Sequence, residues 1–308
     1  MLWIFLALLG ALTNAAYFII VKKYISALDP KLLTGIGFTL GGCLLFLSSA
    51  LRGFPAIGSD FFAAVAITSI LNILGLSLIF KALASSDLSI SVPMLSFTPV
   101  ILIGTSYVIL HEVPSFFGFA GICIIVSGSY VLNIAAEHEH YLDPVKAMMR
   151  NRGSWYMLIV AFLFAVSINF DKIALLNSDP FFGMALTVTT IGIAFLLIPA
   201  YSRYAGRKRA HDPFDGDAGG AALPARAMPV RQFFGLTLLI GVFVAVEAAS
   251  INVALTLQIV PYVIAIKRLS IIFMVLYGTL VFSERDIKKR VMGATLMVAG
   301  AIIILLFA

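Results

Sequence analysis

The sequence predicts an all-α integral membrane protein with ten transmembrane helices, arranged as two inverted repeats of five helices each. Three observations lead to this fold class. Of the 308 residues, 61% are hydrophobic and 12% are charged, whereas soluble domains carry about 25% charged residues. Ten apolar stretches are each close to the roughly 20 residues needed to cross a bilayer core. The last five stretches repeat the pattern of the first five.

Polar or proline-containing breaks separate the apolar stretches and set the predicted helix ends. Asp29-Pro30, Val113-Pro114 and Asp179-Pro180 stand at helix starts, where proline is well tolerated. The turns at 85–87 and 256–258 are so short that helices 3/4 and 8/9 should be antiparallel hairpins. The helices are predicted over about 2–21, 32–51, 61–84, 89–110, 115–134, 155–176, 181–200, 232–256, 259–282 and 288–307.

Two spacings recur at matching places in the two halves of the chain. Lys22 lies seven residues before Asp29-Pro30, and Lys172 lies seven residues before Asp179-Pro180. The second spacing places two glycines nine and sixteen residues after a glutamate, as Glu112/Gly121/Gly128 and Glu284/Gly293/Gly300. We therefore predict repeats over 2–134 and 155–307, joined by a connecting loop over 135–154. Since five is an odd number, the two repeats run in opposite directions through the membrane.

The distribution of basic residues predicts the orientation in the membrane. Sixteen Lys and Arg residues fall in the loops between helices 1–2, 3–4, 5–6, 7–8 and 9–10, whereas Arg52 is alone on the other side. Basic residues collect in cytoplasmic loops. Both termini are therefore expected outside the cell.

Lys267 and Arg268 are the most informative polar residues, because they lie near the middle of helix 9 in an otherwise apolar segment. A charge at mid-membrane costs at least about 2.5 kcal/mol, so it needs a wet cavity or a partner. Glu247 on helix 8 lies as far before the 8/9 turn as Lys267 lies after it, which predicts an ion pair with Lys267 or Arg268. Two cations against one carboxylate favour an anionic ligand; a closed structural cluster is the alternative.

Other polar residues lie within the predicted spans. Asn14, Asn72 and Asn169 are predicted to contact substrate together with Lys267, Arg268 and Glu247, although interhelical amide bonds are an equally ordinary role. Asp171 and Lys172 lie late in helix 6, where snorkelling to the interface is the alternative to a role in the site.

Four residues are predicted to have structural or gating roles. Glu112 and Glu284 end helices 4 and 9 and are expected to brace the start of the following helix. Pro93 and Pro99 interrupt helix 4, and such interruptions can serve as hinges. The glycine pairs of helices 5 and 10 each lie on one helix face and predict packing surfaces, including one between protomers.

The sequence holds no motif of an enzyme. There is no Gly-rich phosphate loop, no His-Glu-x-x-His and no Gly-x-Ser-x-Gly, and the absence of a Walker motif argues against ATP-driven pumping. His138-Glu139-His140 indicates a solvated loop more than a metal site. No catalytic residue, cofactor, metal or nucleic-acid partner is expected.

The glutamate followed by a glycine-patterned final helix in each half resembles the drug/metabolite transporter (DMT) superfamily, in particular its EamA type. The resemblance covers the whole chain as two EamA-like units, about 2–134 and 155–307. It is carried by Glu112 through Gly128 and Glu284 through Gly300, and the segment beginning at Ile266 is similar to one subgroup. It implies ten helices around a central cavity and alternating access. Related phosphate-exchanging carriers of plastids hold their anion with a basic pair on helix 9, a placement that Lys267 and Arg268 match. Many EamA-type proteins have both termini inside, which departs from the charge pattern here.

The predicted function is secondary transport of a small metabolite, with an anionic one favoured. The expected partners are this substrate, the lipid bilayer, a coupling proton or ion that Glu247 would carry, and a second copy in a homodimer; the expected location is a bacterial or archaeal cell membrane. Two alternatives remain. One is a broad exporter of apolar or aromatic compounds that uses walls such as Phe273 and Met274, and the other is a membrane sensor or scaffold that transports nothing.

Overall fold

The computed structural model describes residues 1–24, 30–85, 92–133, 152–204, 229–274, 277 and 287–307. Within these ranges the chain forms ten α-helices and one 3₁₀-helix, and no strand. The helices are α1 Leu2–Tyr24, α2 Pro30–Arg52, α3 Phe61–Ser85, the 3₁₀-helix Val92–Phe97, α4 Thr98–Leu110, α5 Phe116–Asn133, α6 Arg152–Leu176, α7 Phe182–Tyr204, α8 Val230–Leu257, α9 Val260–Lys267 and α10 Ile287–Phe307.

Six of the described helices are long and apolar enough to cross a membrane. The candidate spans are Leu2–Ile20, Lys31–Arg52, Phe61–Ala82, Arg152–Leu176, Arg231–Leu257 and Arg290–Phe307. Large apolar side chains on these helices, such as Phe5, Phe62, Ile70 and Phe162, are exposed on the outside of the bundle. An apolar exterior of this extent fits contact with lipid. The chain is an integral membrane protein.

The helix ends lie close to the predicted ones, with two differences. α6 begins at Arg152, inside the predicted connecting loop, and the rest of that loop lies outside the described residues. α7 continues to Tyr204, into the predicted loop over 201–231, whose residues 205–228 are also outside the described part.

Helices 4 and 9 are not continuous, and in helix 9 this corrects the prediction of one helix over 259–282. α9 ends at Lys267, Arg268 and Leu269 form a turn, and helix resumes at Ser270. The amides of Leu269 and Ile271 donate to carbonyls three residues earlier, the bond pattern of a 3₁₀ turn. Helix 9 therefore changes its winding at the basic pair.

Helix 4 is interrupted in a similar way, as its two prolines predict. The chain is a 3₁₀-helix over Val92–Phe97 and becomes α4 at Thr98, with Pro99 in the first turn. A proline there removes no helical hydrogen bond, because the first amides of a helix have no partner within it. Pro93 lies in the 3₁₀-helix. The gating role predicted for both prolines stays a prediction.

The helices pack in pairs that join the two halves of the chain. α5 packs against α10, α3 against α6, α2 against α7 and α1 against α8. α9 lies in the middle, between α1 and α4, and Val260 through Ile266 are all buried. The charged residues that follow are thereby held inside the bundle.

Glycines allow the closest of these contacts, and they correct the prediction of a glycine surface between protomers. A Cβ built on Gly121 would lie 2.8 Å from the Gly300 carbonyl oxygen, and one on Gly128 would lie 2.7 Å from that of Gly293. The four glycines thus face each other within one chain, where they bring the backbones of α5 and α10 into contact. This use explains their spacing without a second copy.

Candidate functional site

Lys267 and Glu247 form an ion pair inside the bundle. Lys267 Nζ lies 2.7 Å from Glu247 Oε1, and their side chains are 28% and 15% exposed. Asn14 Nδ2 donates to the same Glu247 oxygen at 2.8 Å. The prediction that Glu247 pairs with the basic residues is confirmed, with Lys267 as the partner. α1, α8 and α9 each contribute one side chain to this group.

Arg268 differs from its neighbour in having no carboxylate partner among the residues that the structure describes. Its Nε is buried and makes no hydrogen bond to any part of the chain that the structure describes. A buried donor without a partner costs about 1–3 kcal/mol, and more when the group is charged.

The interruption of helix 9 at Arg268 lies beside the ion pair of Lys267 and Glu247. Discontinuous helices at mid-membrane are tolerated where the backbone is enclosed by protein or lines a cavity. Transporters use such helices to present backbone groups and side chains to substrates. Lys267 ends α9 and Arg268 begins the turn, so both side chains leave the helix at its interruption.

A second polar group joins α3 and α6. Thr68 Oγ1 donates to Asp171 Oδ1 at 2.5 Å, and the hydroxyls of Thr68 and Ser167 are 2.6 Å apart. Asn72 Nδ2 donates to Ser167 Oγ at 2.6 Å and to the Thr68 carbonyl at 2.9 Å. Asp171 is only 6% exposed, so this carboxyl is held in the bundle and does not snorkel to the interface.

Asn169 connects α6 to α4. Its Oδ1 accepts from Ser106 at 2.7 Å, and its Nδ2 donates to Thr105 Oγ1 at 3.1 Å and to the Ala165 carbonyl at 2.8 Å. Both amide hydrogens are therefore occupied, as they are in Asn72. These bonds are interhelical bracing, and the substrate contacts expected of Asn169 and Asn72 stay predictions.

Glu112 closes one end of the bundle. Its Oε1 lies 2.5 Å from Lys172 Nζ, and its Oε2 accepts from the Val260 amide at 2.7 Å. Lys172 also donates to the Gln258 carbonyl at 2.9 Å. The two side chains are 12% and 13% exposed. Three segments, after α4, at the end of α6 and before α9, are thereby tied together.

The position of Glu112 corrects the expectation that it braces the following helix. α5 is instead capped by Ser115, whose Oγ accepts from the Gly118 amide at 3.0 Å. His111, in the left-handed region at φ 55°, ends α4 and turns the chain immediately before Glu112. The carboxylate therefore meets the start of α9, where a negative charge is favoured. Glu284 and His138–His140 lie outside the described residues.

A cavity of about 240 Å³ lies elsewhere, between α2, α7 and α8. Its lining is almost entirely apolar and contains no charged side chain; it consists of Leu44, Leu45, Ser48, Phe181, Val242, Ala245, Val246 and Ala249. The ionic groups do not line this cavity.

Sequence reasoning missed the connection of Asp171 to Thr68 and Ser167. The signal was available in the spacing, because Thr68/Asn72 and Ser167/Asp171 are both four residues apart. Residues at i and i+4 share a helix face. Two such polar pairs, each in an apolar helix, indicate faces that meet.

Comparison with known proteins agrees with this architecture. Residues 1–134 match the family model of the EamA-like transporter family, which belongs to the DMT superfamily. The resemblance expected from the sequence is confirmed over this part of the chain. No curated protein matches.

Twenty-eight chains of solved structures are also similar to this chain. One, described as "Crystal structure of protein", is 15% identical with a TM-score of 0.70, and the match covers 99% of this chain and 97% of that one. At this identity the likeness concerns the fold alone.

Proposed function

We propose that this chain is a secondary transporter that moves a small anionic metabolite across the membrane by alternating access. The observation that carries the proposal is the difference between the two cations of helix 9. Lys267 is neutralised by Glu247, whereas the buried Nε of Arg268 has no partner among the described residues. A buried guanidinium nitrogen that has no hydrogen-bond partner in the described part of the chain is suited to bind an anion.

In this proposal Lys267 and Arg268 have different tasks. Arg268 binds the negative group of the substrate, since a guanidinium can hold a carboxylate or phosphate through two parallel hydrogen bonds. Lys267 fixes Glu247, which in turn is oriented by Asn14.

The pairing of helices supports two inverted repeats. Equivalent helices are α1 and α6, α2 and α7, α3 and α8, α4 and α9, and α5 and α10. The contact of α1 with α8 then corresponds to that of α6 with α3, and α2–α7, α4–α9 and α5–α10 correspond to themselves. This reciprocity is expected of a two-fold axis in the membrane plane.

The interruptions of helices 4 and 9 support the same symmetry. Helix resumes at Thr98 in one and at Ser270 in the other, fourteen residues before Glu112 and Glu284 respectively. Discontinuous helices at equivalent positions commonly mark a transport site at the interface of the two repeats.

Alternating access requires that one end of the bundle be closed. The bonds of Glu112 to Lys172 and to Val260 close the end at which α4 and α6 finish and α9 begins. By the distribution of basic loops this is the outer end. We infer that these bonds separate when the site opens outward.

The test is the thermal stability of the purified protein with inorganic phosphate, succinate, gluconate or glutamate, and with glucose as a neutral solute. A ligand at a hundred times its Kd stabilises the folded state by about 2.7 kcal/mol, which raises the melting temperature. We expect at least one anion, and not glucose, to stabilise the wild type, and Arg268→Gln to abolish this effect.

Arg231→Gln is the matched control, because it removes an equal charge from an exposed position at the start of α8. It should leave the stabilisation by anions unchanged. Equal stabilisation of the wild type and the Arg268→Gln protein would contradict the proposed site. Stabilisation by glucose to the same extent as by the anions would contradict an anionic substrate.

A further inference from the structure

We propose that Asp171 is the proton-binding group of this transporter, and that it takes up a proton when the site takes up an anion. This inference rests on the proposed function. It also replaces the expectation that Glu247 carries a coupling proton. Four features of the described residues support it: the enclosure of Asp171, its hydrogen bonds, the pairing of Glu247 and the sum of the enclosed charges.

Asp171 lies well inside the bundle. It is five residues before the end of α6, about 8 Å along the axis, and Thr68 is seven residues after the start of α3, about 10 Å along that helix. Thr68 and Ser167 are as deeply buried as Asp171. A carboxyl in such a place has little water to stabilise its charge, so it is neutralised more easily than one at the surface.

The hydrogen bonds around Asp171 form a directed chain. Asn72 donates to Ser167, and Thr68 donates its single hydroxyl hydrogen to Asp171. The short contact between the two hydroxyls is therefore a donation from Ser167 to Thr68. Reversal of the two hydroxyl hydrogens would let a protonated Asp171 donate to Thr68 in turn. The same side chains can thus satisfy both forms of the carboxyl.

Glu247 is the less suitable proton carrier because its charge is already compensated. Its Oε1 accepts from Asn14 and contacts the Lys267 ammonium at 2.7 Å. Neutralising it would leave Lys267 without its counter-ion. Lys267, a cation that acts on the Asp171 carboxyl, is already paired with Glu247.

The elements packed against α6 are α3, the 3₁₀-helix, α4, α7, α8 and α9. Their charged side chains in the described ranges, with those of α6 itself, are Lys81, Glu112, Arg152, Lys172, Arg231, Glu247, Lys267 and Arg268. Lys172 follows Asp171 directly but is held by Glu112. The remaining ones either belong to the central group or lie at helix ends.

The total charge of the enclosed side chains explains why a proton would be taken up together with an anion. Glu247 and Asp171 balance Lys267 and Arg268, so the empty site is neutral when Asp171 is ionised. An anion at Arg268 would then leave an excess negative charge inside the membrane, which is costly. A proton on Asp171 removes this excess. One proton therefore accompanies one negative charge of the anion, and proton and anion move in the same direction.

The test is transport in proteoliposomes with phosphate, succinate, gluconate and glutamate, in two assays. The first measures exchange of labelled for unlabelled anion without a pH gradient, and the second measures accumulation driven by a gradient of one pH unit. For a monoanion carried with one proton, this gradient gives an accumulation of about tenfold. Wild type should show both activities with the same anion.

Asp171→Asn keeps the size of the side chain and fixes it in a neutral form. We expect this variant to retain exchange and to lose accumulation, so that the concentration ratio falls to about one. Exchange reports that the protein is folded and binds the anion, so loss of accumulation alone cannot arise from misfolding. Glu247→Gln is the comparison variant and should lose exchange, because Lys267 is left unpaired.

The outcomes separate the two proposals. A wild type that exchanges none of the four anions contradicts the proposed function. A wild type that exchanges an anion, with an Asp171→Asn protein still driven by the pH gradient, overturns the role of Asp171 and leaves the proposed function intact. Loss of accumulation with retained exchange in Glu247→Gln, instead of in Asp171→Asn, would assign the proton to Glu247.

Discussion

At the scale of single residues, the enclosed charged side chains of this protein fall into two groups, those in ion pairs and those without an ion-pair partner among the described residues. Glu112 with Lys172 and Glu247 with Lys267 are ion pairs at 2.5 Å and 2.7 Å. Among the described residues, Asp171 accepts a hydrogen bond from the Thr68 hydroxyl, and the buried Nε of Arg268 has no partner. The ion pairs connect neighbouring helices. We propose that Asp171 and Arg268 are the side chains that bind a proton and an anion.

One prediction at this scale concerns the Glu247–Lys267 pair. Glu247→Gln should destabilise the protein by about 3–5 kcal/mol, because removing one partner leaves the other charge enclosed and unpaired. The combined variant Glu247→Gln/Lys267→Met should recover much of this loss. The measurement is the melting temperature in detergent for both single variants and the double variant.

A double-variant cycle in which the two losses simply add would contradict the direct contact between Glu247 and Lys267, since independent sites are additive. Arg231→Gln again provides a charge change at an exposed position and should shift the melting temperature little.

At the scale of elements, the close contact of α5 with α10 depends on glycine. A Cβ built on Gly300 would lie 2.6 Å from the Gly121 carbonyl oxygen, closer than two such atoms can approach. Neither backbone can move aside without separating the helices. The contact therefore tolerates no side chain larger than hydrogen at these positions.

The corresponding prediction compares two substitutions of the same kind. Gly300→Ala should destabilise the protein by about 1–3 kcal/mol, the usual cost of overpacking. Gly104→Ala, in α4 where a Cβ would have no atom within 4 Å, should be neutral or stabilising. Melting temperatures of the two variants in the same detergent decide this, and equal values would contradict the packing of α5 on α10.

The helices also show which features can be predicted from the sequence and which cannot. The helix ends were predicted within a few residues because each is marked by proline, polar residues or charge, as at Asp179-Pro180. The pairing of Glu247 with Lys267 followed from equal distances to one turn. The turn at Arg268 and the contact of Glu112 with α9 were missed, because no local pattern marks them and both depend on which helices meet.

At the scale of the whole molecule, the basic residues are distributed unequally between the two sides of the membrane. Arg152 and Arg290 begin their spans on the same side as most other basic residues, whereas Arg52 ends its span on the opposite side. This asymmetry predicts a single orientation with both termini outside the cell.

Fusion proteins test the orientation directly. Alkaline phosphatase fused after residue 308 should be active, because it folds only outside the cytoplasm, and a fluorescent protein that requires the cytoplasm should stay dark at the same position. The opposite pair of results would show that both termini lie inside and would place the Glu112–Lys172 bonds at the inner end.

The glycine contact between α5 and α10 also determines where movement can occur. The backbones of the two helices approach closely at Gly121, Gly128, Gly293 and Gly300. We therefore expect little sliding or rotation of one helix past the other. We expect the contact between α5 and α10 to stay fixed and the other helices of each half to turn about it. Displacements should therefore be smallest beside these glycines and grow with distance from them, so that small adjustments in the interior become large openings at the bundle ends.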